Sequence, residues 1–176
     1  MTNGVTLITG GARSGKSAHA LQLARTAPHP LFIATAEPFD QEMRERIAAH
    51  KEERGNAFVT VEAALDPASA ISKMGEKHGV AVLDCMTVWL GNLMHHHGEA
   101  SMQYEEVETL LEILKQPPCN VIIVTNELGM GLVPEHPLSR RFRDMAGRLN
   151  QRVAAVSERV VLMISGIPLN VKEASR

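Results

Sequence analysis

The sequence predicts an α/β fold: a mainly parallel sheet with helices on both faces, in a single domain over 1–176. Three observations predict it. Short β-branched runs alternate with longer helical patterns, as in strands joined by helical crossovers. Several of those runs are apolar throughout, as strands covered on both faces should be. The length of 176 residues suits one domain, and a chain of ~150 residues already hides roughly 70% of its unfolded surface.

In order, the strands are expected at 5–9, 31–34, 58–61, 80–83, 121–125 and 160–164. The helices are expected at 16–26, 40–54, 67–77, 87–96, 102–115 and 138–157. Asp40 can cap the second helix, with Glu42 in its first turn. The last helix has the clearest stripe: Phe142, Ala146, Leu149, Val153 and Val156 recur at helical spacing. Beside that stripe, Arg141, Asp144, Arg148 and Arg152 are spaced for ion pairs within the helix, so a solvated, self-paired face is expected. The Gly/Pro-rich segment 126–137 follows a strand, where open α/β sheets form their ligand crevice.

Composition excludes several classes. A formal charge of −2 offers no basic surplus for nucleic acid, and six aromatic residues are too few for a base-stacking platform. Apolar residues at 44% and charged ones at 22% fit an ordinary globular chain. Cys85 and Cys119 form no CxxC pair, so a reducing, cytoplasmic setting is expected. "MTNGVTLITG" has no basic flank and only a short apolar run, unlike a signal peptide. No apolar stretch approaches the ~20 residues that span a bilayer.

"VTLITGGARSGKS", residues 5–17, contains GxxxxGKS between a strand and a helix. Gly10, Gly11 and Gly15 let the backbone curl, and Ala12, Arg13 and Ser14 complete the loop. Its N–H groups can then cradle phosphate oxygens at a helix N-terminus. Lys16 can reach the β- and γ-phosphates, and the Ser17 hydroxyl can ligate Mg²⁺. The strand "VAVLD" ends in Asp84, a second candidate for the metal or else a helix cap. A nucleoside triphosphate with Mg²⁺ is therefore expected. Kinase, hydrolase, motor and transferase all stay open, because the fold does not choose among them.

His50 lies in "RERIAAHKEER", residues 44–54. Met43, Ile47 and His50 fall on one helix face, which Lys51 and Glu52 do not share. Arg46 and Arg54 lie about one turn either side, and nearby positive charge disfavours the protonated imidazole. A neutral imidazole is a nucleophile. Spacing alone equally allows a half-buried, hydrogen-bonded histidine.

Five segments carry a resemblance: "TGGARSGKS", "IATAEPFDQEMRERIAAHKEER", "DCMTVWLGNLM", "VTNELGMGLVPEHPLSRRFRDMAGRLNQRVA" and "SGIPLNVK". Together they resemble the bifunctional adenosylcobinamide kinase / adenosylcobinamide-phosphate guanylyltransferase family of cobalamin biosynthesis. The resemblance is collinear over nearly the whole chain. It implies phosphorylation of the aminopropanol hydroxyl of adenosylcobinamide by ATP or GTP. Transfer of GMP from GTP onto that phosphate would follow, through a covalent GMP-histidine at His50. It further implies GTP contacts at Gly10–Ser17, at Ala34, Thr35 and Ala36, at Lys51, Glu52, Glu53 and Arg54, and at Glu62 and Asp84. A homo-oligomer, usually a trimer, is implied as well. The family's "WxTxEEP" is here "FVTVEAA", with Glu62 kept and Ala63 and Ala64 departing from the pattern.

His95, His96 and His97 are expected to form an exposed helix end, Cys85 to be a small buried hydrophobe, and Trp89 and Tyr104 to serve packing. Two rival functions remain in the sequence: a plain P-loop small-molecule kinase, and a GTP-binding regulatory subunit.

Overall fold

A computed structural model describes residues 3–98 and 103–173. The strands are β1 (Val5–Gly10), β2 (Leu31–Ala34), β3 (Val59–Glu62), β4 (Val80–Asp84), β5 (Asn120–Val124), β6 (Arg159–Ile164) and β7 (Ile167–Lys172). They form one sheet in the order β3-β2-β4-β5-β1-β6-β7. Every pairing is parallel except β6 with β7, which is antiparallel.

The helices are α1 (Lys16–Ala24), α2 (Gln41–Arg54), α3 (Pro67–Met74), α4 (Met86–His97), α5 (Glu105–Lys115) and α6 (Pro137–Val156). One sheet face is covered by α3, α4, α5 and α6, whose apolar stripes meet Leu7, Ile33, Leu83 and Ile123. The other face carries α1, with Ala20, Leu21 and Ala24 against Ile8, Val82 and Val124. Helices thus lie on both faces, and the mainly parallel α/β reading holds. Among the described residues no helix is long and apolar enough to cross a membrane.

Three expectations change in detail. The sixth strand is followed by β7, where the sequence predicts no element; the turn at Ser165 and Gly166, both at positive φ, folds it back. The third helix stops at Met74 and continues as a short 3-10 turn, Gly75–Lys77. The fifth begins at Glu105, and the expected start at 102 lies outside the described residues.

The charged face of α6 pairs partly within the helix and partly with α5. Arg152 makes a two-pronged contact of 2.6 and 2.7 Å with Glu108 of α5, and those hydrogen bonds hold the Glu108 carboxyl below its usual range. Asp144 pairs with its chain neighbour Arg143 at 3.2 Å. Trp89 is fully buried and donates its indole N–H to Leu65 O at 2.9 Å, and Tyr104 is buried too, so both serve packing.

Candidate active site

The loop after β1 is shaped by its glycines. Gly10 has φ +148°, and a Cβ there would lie 2.5 Å from Met163 O, so β6 leaves no room for a side chain. Gly15, at φ +92°, caps α1 in the left-handed region that glycine tolerates. The β6–β7 turn braces the loop from outside, because Gly166 N donates to Ser14 O at 3.0 Å. Lys16 is buried, and its ammonium donates to Gly11 O at 2.5 Å. It therefore sits inside the loop, its charge held against the loop's own backbone.

The sheet register aligns the other candidates. Ala34 of β2 is opposite Glu62 on one side and Asp84 on the other, so three residues from separate sequence segments share one row. Asp84 ends β4, but the cap of α4 is Cys85, whose Sγ accepts from Val88 N at 3.4 Å. This corrects the reading of Cys85 as a buried hydrophobe. It also leaves the Asp84 carboxylate out of the helix cap. Thr35 is fully buried, and its hydroxyl donates to Cys85 O and accepts from Cys85 N, both at 2.9 Å. Thr35 thus positions the Asp84–Cys85 segment and borders neither cavity described next.

Two cavities meet at this row. One, of about 750 Å³, is bordered by the loop residues Ala12–Ser17 together with Glu42, Asp84 and Asn126. The other, of about 330 Å³, lies under α2, between Phe32, Ala34 and Ala36 on one side and Met43, Ile47 and Arg54 on the other. Ser17, His50, Asp84 and Cys85 border both.

Asp40 caps α2, accepting from Met43 N at 2.7 Å. Its stripe of Met43, Ile47 and His50 is only half-buried, because it faces a cavity and not the core. Lys51, expected to point away, also borders the smaller cavity and pairs with Glu62 at 3.1 Å. Glu52 is exposed and borders neither. The side chains of Arg46 and Glu53 lie outside the described residues. Arg54 is buried with its guanidinium 3.9 Å from the centroid of Phe32, which packs edge-on against Phe58.

Asn92 gave no signal in the sequence. Buried in α4, its amide donates to Thr35 O at 2.7 Å and to Ala64 O at 3.0 Å, tying the loops that leave β2 and β3. We expect Asn92→Leu to leave both carbonyls unpaired at a cost of about 2–4 kcal/mol, lowering Tm by roughly 5–15 °C in a calorimetric melt.

The three histidines are exposed, as expected. His96 meets Glu37 at 3.2 Å, His97 meets Glu106 at 2.7 Å, and His95 packs on Phe39. Among the described residues there is no cluster of three or more His, Cys, Asp or Glu fit to hold a metal.

A parallel sheet with a GxxxxGKS loop between β1 and α1 defines a P-loop nucleotide-binding domain. The fold agrees with the type III secretion ATPase of pathogenic bacteria, at TM-score 0.54 and 10% identity over 90% of this chain and 50% of that one. Within that class the chain belongs to the cobinamide kinase / cobinamide phosphate guanyltransferase family, which residues 6–171 match. It is 40% identical to the bifunctional adenosylcobalamin biosynthesis protein CobU of Salmonella typhimurium, over 94% of this chain and 98% of that protein. It is 41% identical to the corresponding protein CobP of Pseudomonas aeruginosa, over 94% of this chain and 96% of that one.

Proposed function

We propose that this chain phosphorylates adenosylcobinamide with ATP or GTP and then guanylylates the product, using His50 as the carrier of GMP. The observation that carries the reading is the position of His50 on the wall shared by the two cavities. A triphosphate in the P-loop cavity, with its base in the smaller one, would present its α-phosphate near that shared wall.

The smaller cavity suits guanine. Phe32 and Arg54 offer flat surfaces, and the Glu62 carboxylate can accept from the N1–H and amino group that guanine presents together. In the transfer, a neutral His50 nitrogen forms a bond to the α-phosphorus while the bridging P–O bond to the β-phosphate breaks and pyrophosphate leaves. The phosphate of adenosylcobinamide phosphate then bonds to the same phosphorus. The N–P bond breaks, releasing adenosylcobinamide-GDP and free His50. Two steps through an uncharged nucleophile avoid the direct collision of a phosphate monoester with a triphosphate.

Ser17 and Asp84 fit a magnesium ion. Both are hard oxygen donors bordering the same cavity, and Mg²⁺ commonly takes few protein ligands, with phosphate oxygens and water completing its shell. When bound it would offset charge on the phosphates.

A homotrimer is part of this reading. β7 is an edge strand exposed at every residue, and its Ile167, Leu169 and Val171, with Ile164 at the end of β6, give an exposed apolar surface of the kind that subunit contacts cover. The free cysteines Cys85 and Cys119 suit a cytoplasmic setting.

The test is incubation with Mg²⁺ and GTP labelled on the α-phosphate, then denaturation. Acid-labile, base-stable label on the polypeptide is expected. A chain that binds GTP yet stays unlabelled would leave a plain kinase or a regulatory subunit as the better account.

A further inference from the structure

The nucleotide reading leaves one block of the sequence unused. "TNELGMG" and "FRDMAGRLNQ" lie apart in the chain, yet their residues surround a third cavity, of about 790 Å³. Glu127, Gly129 and Gly131 border it from the loop after β5, and Gly147, Arg148 and Gln151 from α6. The loop is pinned at its start by a relay of hydrogen bonds. Asn126 N donates to the Thr87 hydroxyl at 2.8 Å, the Thr87 and Thr125 hydroxyls meet at 3.2 Å, and Thr125 donates to Asn150 Oδ1 at 2.8 Å. The Asn150 amide closes the relay on Asn126 O at 3.1 Å.

We propose that this cavity receives one amide-bearing edge of the corrinoid, with the aminopropanol arm crossing the sheet edge at Asn126 to reach the P-loop. The inference rests on the functional reading above, which supplies the substrate. Three features carry it.

The first is position. Asn126 borders the P-loop cavity and Glu127 the third one, while Thr9 faces the third cavity and Gly10 opens the phosphate loop. Glu127 N donates to Gly10 O at 3.0 Å, so only one backbone layer separates the two spaces.

The second is chemistry. The rim of a corrin carries neutral amides, which both donate and accept. Among the described residues, the Arg148 and Gln151 side chains make no hydrogen bond or ion pair, and the buried Thr9 Oγ1 has no partner. These groups can meet amide oxygens and N–H groups without breaking existing bonds.

The third is apolar surface. A corrin is wider than the cavity, so its face must rest outside. On the same loop Met130, Leu132 and Val133 are 79%, 95% and 67% exposed.

A Cβ built on Gly147 meets no atom within 4 Å, so a side chain has room to start there, and Gly147→Phe is chosen to fill the cavity. Arg148→Ala removes a guanidinium donor for amide oxygens from an exposed position. For each variant we would measure KM for adenosylcobinamide in the kinase reaction, the rate of His50 labelling by GTP alone, and mass by light scattering. A rise in KM of tenfold or more, with labelling and mass unchanged, is expected. An unchanged KM in Gly147→Phe would overturn the site while leaving the functional reading intact. A raised KM accompanied by loss of mass would mean that the cavity is a subunit contact, and would overturn it equally. A wild-type chain that runs neither reaction would refute the functional reading and this site with it.

Discussion

His50→Ala is expected to abolish guanylyl transfer and to leave cobinamide phosphorylation within about threefold of wild type. The imidazole is half-buried on a cavity wall, so its loss removes no core contact and the chain should fold normally. If His50 is the nucleophile, removing it takes away the only bond that holds GMP between the two half-reactions. Deleting a nucleophile of this kind costs on the order of 10⁴-fold or more in rate. The α-phosphate label on the polypeptide should vanish with it. The kinase step needs no such bond, because positioning and charge neutralisation at the P-loop carry most of it. If His50 were merely a wall residue, guanylylation would fall by less than about tenfold, in keeping with one lost contact worth ~1 kcal/mol. The two outcomes lie orders of magnitude apart, and comparing both activities in one preparation separates them.

Much of this site can be read from sequence because its parts are local. The P-loop is a strand, a glycine turn and a helix start in thirteen consecutive residues, 5–17, and each part constrains the next. Asp40 and the stripe of α2 are equally local. What joins the parts is not. Glu62, Ala34 and Asp84 share a row only because β2 lies between β3 and β4, an order that no single segment encodes.

Asn92 is invisible for the same reason. A polar residue in a helix has no meaning until the carbonyls of Thr35 and Ala64 arrive above it. The hydroxyl of Thr35, a residue where the resemblance implies a nucleotide contact, bonds the backbone of Cys85, a partner that arrives only with the fold. β7 is a different kind of omission. "IPLNVK" alternates apolar and polar after a Ser-Gly turn, which is a strand signal. Pro168 and the lack of a continuous apolar run disguise it, because proline argues against a strand except at a sheet edge, and the edge position is set by the pairing with β6.

Lys16→Met should impair both reactions together, which sets it apart from His50→Ala. The methionine keeps most of the apolar stem, so the buried position stays filled and only the ammonium is lost. That ammonium now rests on Gly11 O, within the loop. A triphosphate would compete for it with full negative charge against one neutral carbonyl, and charge-assisted hydrogen bonds are roughly twice as strong as neutral ones. The lysine should therefore turn to the phosphates on binding without moving the helix that carries it. Its charge is needed in the kinase step, where negative charge builds on the bridging oxygen, and again when pyrophosphate leaves from the α-phosphorus. Removing a preorganised donor of this kind costs about 10²–10³ in rate. We expect cobinamide phosphorylation and His50 labelling each to fall by that factor. A fall in one alone would mean that the two reactions place the nucleotide differently in the loop.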